Sequence, residues 1–98
     1  MLRHIVMWKF RPGTEAERDL FLTGLQELYG AIPELKSCQV LRSMEGSDYD
    51  AVLISEFADQ AALEAYKNDP RHKAVSALCK SIRTDRAAVD CLLPDPEE

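Results

Sequence analysis

The sequence predicts an α+β fold of the split βαβ, ferredoxin-like kind: a four-stranded antiparallel sheet with its helices on one face. Three observations lead there. Strand-like alternation recurs in four separate stretches, and helical periodicity fills the gap between the first and second and between the third and fourth. The second and third stretches are joined by only a short turn, Glu45-Gly46-Ser47-Asp48. The strands also carry apolar residues on both faces, although helices on one side can cover only one of them.

His4 to Phe10 alternates, with His4, Val6, Trp8 and Phe10 on one face and Ile5, Met7 and Lys9 on the other. Arg11-Pro12-Gly13 breaks this strand. Thr14 to Glu17 has the pattern of a capping box, Thr14 as N-cap with Glu17 reaching back. A long amphipathic helix follows on Phe21, Leu25, Leu28 and Ile32, with Leu20, Leu22 and Tyr29 widening the stripe and Gly30 and Pro33 ending it. Gly24 weakens that helix by about 1 kcal/mol relative to Ala, and close approach to the sheet is its expected use. Ser37 to Met44 is the second strand. Tyr49 to Phe57 is the third, with Tyr49, Ala51, Leu53, Ser55 and Phe57 on one face and Val52 and Ile54 on the other. Asp59 caps a helix over Gln60 to Ala65. Arg86 to Leu93 is the last strand, with Val89, Cys91 and Leu93 on one face, and Pro94 to Glu98 form an acidic tail expected to fray.

The stretch Tyr66 to Val75 holds the chemistry. Asp69 is a good N-cap and Pro70 falls at the first helical position, where its missing N–H costs nothing. His72 then lies in the first turn and begins an apolar stripe through Val75, Cys79 and Ile82. Helix N-termini and burial both disfavour imidazolium, so His72 is expected to be neutral, the form able to act as a base. Tyr66, at the end of the preceding helix, is placed to meet it. A core histidine with a single hydrogen bond is the plainer account of the same pattern.

The chain of 98 residues bounds one domain, 1–93, followed by the tail 94–98. With 46 % apolar residues, the composition suits a globular protein. A net charge of −5 without a basic run argues against nucleic acid and anionic membrane as partners. No apolar run approaches a membrane span, and the start lacks a signal peptide's cleavage site, so a cytoplasmic location is expected. Cys38, Cys79 and Cys91 are odd in number and widely spaced, as small core residues would be in a reducing compartment. With two histidines and no ligand motif, no metal and no cofactor is expected. The uncovered sheet face, carrying Ile5, Met7, Val52 and Ile54, predicts a homodimer in which two sheets pack face to face.

The opening Arg3 to Phe10, the segment Ser55-Glu56-Phe57, and Ala62 to Tyr66 followed by Asp69 to Val75 together resemble the Dabb family of stress-responsive dimeric α/β-barrel domains. Tyr-x-x-x-Pro-x-His and the early histidine are the most specific pieces, and Ile32-Pro33 and Val89-Asp90 also fit. The resemblance implies a ferredoxin-like fold, a homodimer and a barrel built from both sheets. One member of that family closes a polyketide chain by an aldol condensation without metal or organic cofactor. Its catalytic histidine and tyrosine match His72 and Tyr66, and its pocket positions match His4, Val6, Trp8, Leu22, Leu25, Leu53 and Val75. The present chain departs from it in having Asp69 in place of a histidine, Trp8 in place of a smaller aliphatic residue, and a shorter turn at Glu45 to Asp48. Two functions stand side by side. One is a Dabb homodimer of unspecified activity with a small apolar or aromatic ligand. The other is a cofactor-independent cyclase, isomerase or monooxygenase, with His72 as general base and Tyr66 donating a hydrogen bond to a carbonyl-bearing metabolite.

Overall fold

The computed structural model describes residues 1–94, and the expected frayed tail lies largely outside them. The elements run β1 (Leu2–Phe10), α1 (Glu15–Glu27), β2 (Ser37–Arg42), β3 (Ala51–Phe57), α2 (Gln60–Asn68), α3 (Pro70–Ile82) and β4 (Arg83–Leu92). The strands form one antiparallel sheet in the order β2-β3-β1-β4. Sequence-adjacent β1 and β2 are separated by β3, and β3 and β4 by β1, which is the split βαβ arrangement expected.

Alternation decides which residues meet the helices. On β1 and β3 the buried set is Leu2, His4, Val6, Trp8 and Phe10 with Ala51, Leu53, Ser55 and Phe57. Phe21, Leu22 and Leu25 of α1, Leu63 and Tyr66 of α2, and Cys79 and Ile82 of α3 close over them. The opposite face holds Ile5, Met7, Val52 and Ile54, half-buried, beside exposed Leu41 and Val89. Polar pairs bound this apolar band. At one end Arg3 donates to Glu56 at 2.7 Å, and the Ser37 hydroxyl donates to the same carboxylate at 3.1 Å. At the other end Lys9 stands opposite Asp85.

Several expectations need correction. The capping box does not form: Thr14 Oγ1 donates back to the Arg11 carbonyl at 2.6 Å and makes no bond to the first turn of α1. The helix ends sooner than its apolar stripe, with Leu28 as C-cap, because the chain needs a tight turn at Gly30 (φ +89) to bring Ile32 and Leu35 back into the core. Leu20 and Tyr29 are exposed and do not widen the buried stripe. Gly24 approaches a helix and not the sheet: a Cβ there would lie 3.4 Å from Val75 of α3. β2 is shorter than predicted and β3 starts two residues later, at Ala51, where the turn ends. β4 begins three residues earlier, because it follows α3 with no loop.

Candidate functional site

Two short helices meet at a joint of one residue. Asp69 ends α2 and caps α3 with a carboxylate oxygen 2.8 Å from the Arg71 amide, and Pro70 opens α3. Arg71 grips the same carboxylate through Nε (2.9 Å) and Nη2 (2.7 Å), and donates from Nη1 to the Ala31 carbonyl at 2.6 Å. These bonds pull the Asp69 carboxyl down to about 2. The joint is thus fixed both to itself and to the loop after α1, and it sets the direction of His72.

His72 stacks against Tyr66, ring centroids 4.5 Å apart at 52°. Tyr66 packs in turn on Phe57 at 5.0 Å, and Phe57 lies edge-on to His4 at 6.4 Å. The Tyr66 hydroxyl and His72 Nδ1 are both buried without a hydrogen-bond partner among the described residues. Burial pushes the Tyr66 phenol well above its ordinary range, so it stays protonated. Burial also lowers the His72 pKa below 6.5. The Lys67 backbone opposes that shift, while the positive charges of Lys67 and Arg86 add to it.

His4 is the better oriented of the two histidines. Antiparallel pairing sets it directly across from Asp90 of β4, and its Nδ1 meets Asp90 Oδ1 at 2.5 Å. A carboxylate on Nδ1 selects the tautomer with its proton there and leaves Nε2 as the basic nitrogen. Burial lowers the His4 pKa, and Asp90 only partly restores it. Both imidazoles are thus pushed toward the neutral form, one held by a carboxylate and one with a buried, unpaired Nδ1.

Both line the same cavity between helices and sheet, with Val6, Trp8, Leu25 and Leu53. Phe21, Ser76, Cys79 and Arg86 complete it. Trp8 takes much of the space: it is 4 % exposed, and its ring stands edge-on to Phe21 at 5.1 Å. The room left is about 50 Å³, enough for a few waters and far below the several hundred Å³ of a drug-sized site. His4, His72, Ser76 and Arg86 also line an outer cleft of about 500 Å³.

The other sequence-selected residues lie elsewhere. Tyr66 stands behind His72, and its hydroxyl is not in the lining. Leu22 borders a separate groove with Thr23, Gln26 and Val40, and Val75 packs toward Gly24. Sequence reasoning missed Asp90 and Arg86. Their signal was present, since both sit on the face of β4 opposite Val89 and Cys91, but it needed the β1–β4 register. Among the described residues, no group of three or more His, Cys, Asp or Glu side chains converges as a metal site would. No helix among them is long and apolar enough to cross a membrane.

A four-stranded split βαβ sheet, helices on one face and a polar cavity between the layers define a ferredoxin-like domain. The chain belongs to the Dabb family, the stress responsive A/B barrel domain, whose model matches residues 2–92. Its fold is shared with a Dabb family protein from Mesorhizobium loti, at 26 % identity and TM-score 0.79 over 96 % of this chain and 97 % of that one. It is also similar to a dimeric ferredoxin-like protein of unknown function from Thermobifida fusca, at 27 % identity and TM-score 0.83, covering 94 % and 90 % of the two chains. A hydroxynitrile lyase from Passiflora edulis shares the fold alone, with 13 % identity and TM-score 0.84 over 96 % and 94 %. No curated protein matches the sequence.

Proposed function

We propose that this Dabb protein is a homodimer whose cavity performs general acid–base chemistry on a small carbonyl-bearing metabolite. One observation carries the reading: two histidines kept neutral by burial line one cavity, and one of them is oriented by a carboxylate. A neutral imidazole removes a proton from carbon next to a carbonyl and becomes imidazolium, and the substrate becomes an enolate. The same imidazolium returns a proton, so no net charge or redox change is left behind. His72 is the base by position, at the mouth of the cavity, and His4 is the partner able to relay or return the proton. Arg86 and the Ser76 hydroxyl, both in the lining, are the donors available to the enolate oxygen. Tyr66 holds the His72 ring from behind and is a positioning residue in this scheme.

The dimer rests on the uncovered sheet face and agrees with the Thermobifida fusca protein, which is dimeric. Free Cys38, Cys79 and Cys91 suit a reducing compartment, and we read the protein as cytoplasmic. The small cavity favours a second reading, a non-catalytic dimer with His72 as a core residue. Deuterium exchange separates the two. Incubated in D₂O with small ketones and keto acids, the protein is expected to accelerate exchange of the α-hydrogens, followed by proton NMR. His72→Gln and His4→Gln should each abolish the acceleration while the fold persists. Exchange no faster than in buffer across the ketone panel would leave the non-catalytic dimer standing.

A further inference from the structure

The outer cleft is basic, although the protein carries a net charge of −5. Lys67, Lys73, Lys80 and Arg86 line it together with His4 and His72, and no Asp or Glu is among the lining residues. Lys73 and Lys80 are two turns apart on one face of α3, and Arg86 faces them from β4. Lys67 has only a long, exposed contact to Glu64 at 3.9 Å. Lys73, Lys80 and Arg86 make no ion pair among the described residues. The chain does neutralise cations elsewhere, with Arg3 on Glu56, Arg42 on Asp19 and Arg71 on Asp69 at 2.6–2.7 Å. Unpaired cations around a concave mouth focus a positive potential there and draw in anions. A second feature lies at the same place: His72 lines both this rim and the inner cavity, so a ligand seated in the cleft meets its ring.

We infer that the site takes a small organic anion, its carboxylate or phosphate held at the Lys73, Lys80 and Arg86 rim and its uncharged end directed inward at His72 and His4. The sizes agree. The cleft of about 500 Å³ accommodates a charged group with its first waters, whereas the cavity of about 50 Å³ admits only a few heavy atoms. The reacting end is therefore short and the anionic handle lies outside. The handle has an electrostatic role beyond anchoring. Lys67 and Arg86 act on both histidines, so an anion bound between them relieves the repulsion that a protonated imidazole meets in the empty site. The substrate would help to stabilise the imidazolium that its own deprotonation creates.

This inference specifies the ligand of the site proposed above and rests on that reading, but its test reads binding and not turnover. Amide chemical shifts of the intact protein are followed while acetoacetate, methyl acetoacetate, pyruvate, methyl pyruvate and inorganic phosphate are titrated separately. The anions are expected to shift the Lys73, Ser76 and Arg86 amides, with each ester at least about tenfold weaker than its acid. Affinity should fall as salt is raised. Lys73→Glu with Arg86→Glu should remove the shifts, and Lys36→Glu, remote from the cleft, should leave them intact. Phosphate stronger than the carboxylates identifies a phosphorylated handle; the reverse identifies a carboxylate. Esters binding as well as acids, or no anion shifting these amides, overturns the inference. In that event, deuterium exchange of a neutral ketone would still support the acid–base site. Anion binding without exchange would retain the ligand class and remove the chemistry.

Discussion

The two faces of the sheet are made by the same four strands and have different fates. Leu53 and Ile54 are neighbours on β3. Leu53 is sealed under the helices at 2 % exposure, whereas Ile54 is half-buried on the uncovered side. The covered face combines packing with a site: His4, Ser55 and Asp90 interrupt its apolar pattern, and each interruption has a bond. On the other face the charged residues are confined to the ends, at Arg3–Glu56 and Lys9–Asp85, and the middle is apolar apart from Gln39 on the edge strand β2, opposite Ile54. A polar rim around an apolar centre is the pattern of a protein–protein interface. One alternating sequence thus encodes two apolar faces, one covered within the chain and one that the chain leaves uncovered.

The comparison breaks most visibly at adjacent residues of β3. Leu53→Asp places an unpaired charge under the helices and should leave the chain unfolded by circular dichroism. Ile54→Asp should keep the fold but abolish the dimer, giving monomer or aggregate in sedimentation velocity. A well-behaved Ile54→Asp dimer would refute the assignment of the open face. Next in size is Trp8→Ala, which should cost about 3–5 kcal/mol in urea unfolding and enlarge the cavity, because the Trp8 ring fills much of it.

A smaller effect depends on pH. His4 and His72 both have folded pKa values below 6.5, so below 6.5 the unfolded chain takes up protons first. Stability from these two rings is therefore complete above 6.5 and declines as the pH falls from there through their lowered folded values. His72→Gln should flatten part of that decline in thermal melts at stepped pH. The open face holds no histidine and should contribute nothing to it. The smallest effect belongs to Gly24→Ala. The added methyl meets Val75 at an ordinary 3.4 Å, and the gain in helix propensity should raise stability by up to about 1 kcal/mol.

What the sequence disclosed follows from the range of the interactions involved. Period-two alternation and the Asp69-Pro70 joint are local, and both faces of β1 and β3, the cap on α3 and the Tyr66–His72 contact were legible from them. The end of α1 was not, because the apolar stripe through Leu28 and Ile32 continues past the helix in a different backbone conformation. The capping box at Thr14 failed for a related reason: its backbone (φ −112, ψ 28) is not the extended conformation that aims an N-cap oxygen at the first-turn amides. Asp90 and Arg86 were invisible as site residues because their roles depend on strands 86 and 78 positions apart in sequence (His4–Asp90 and Trp8–Arg86). Once β1 is paired with β4, the carboxylate on His4 and the cation at the cleft follow from counting.

The Arg71 clasp has a consequence for motion. Its guanidinium ties the start of α3 to the carbonyl of Ala31, in the loop between α1 and β2, forty positions away in sequence. The α2–α3 joint therefore cannot swing without freeing that loop. In native-state hydrogen exchange the two segments should open as one cooperative unit, with one shared opening free energy. His72 is the residue after Arg71, so this clasp holds the turn that carries its ring to a loop that does not line the cavity.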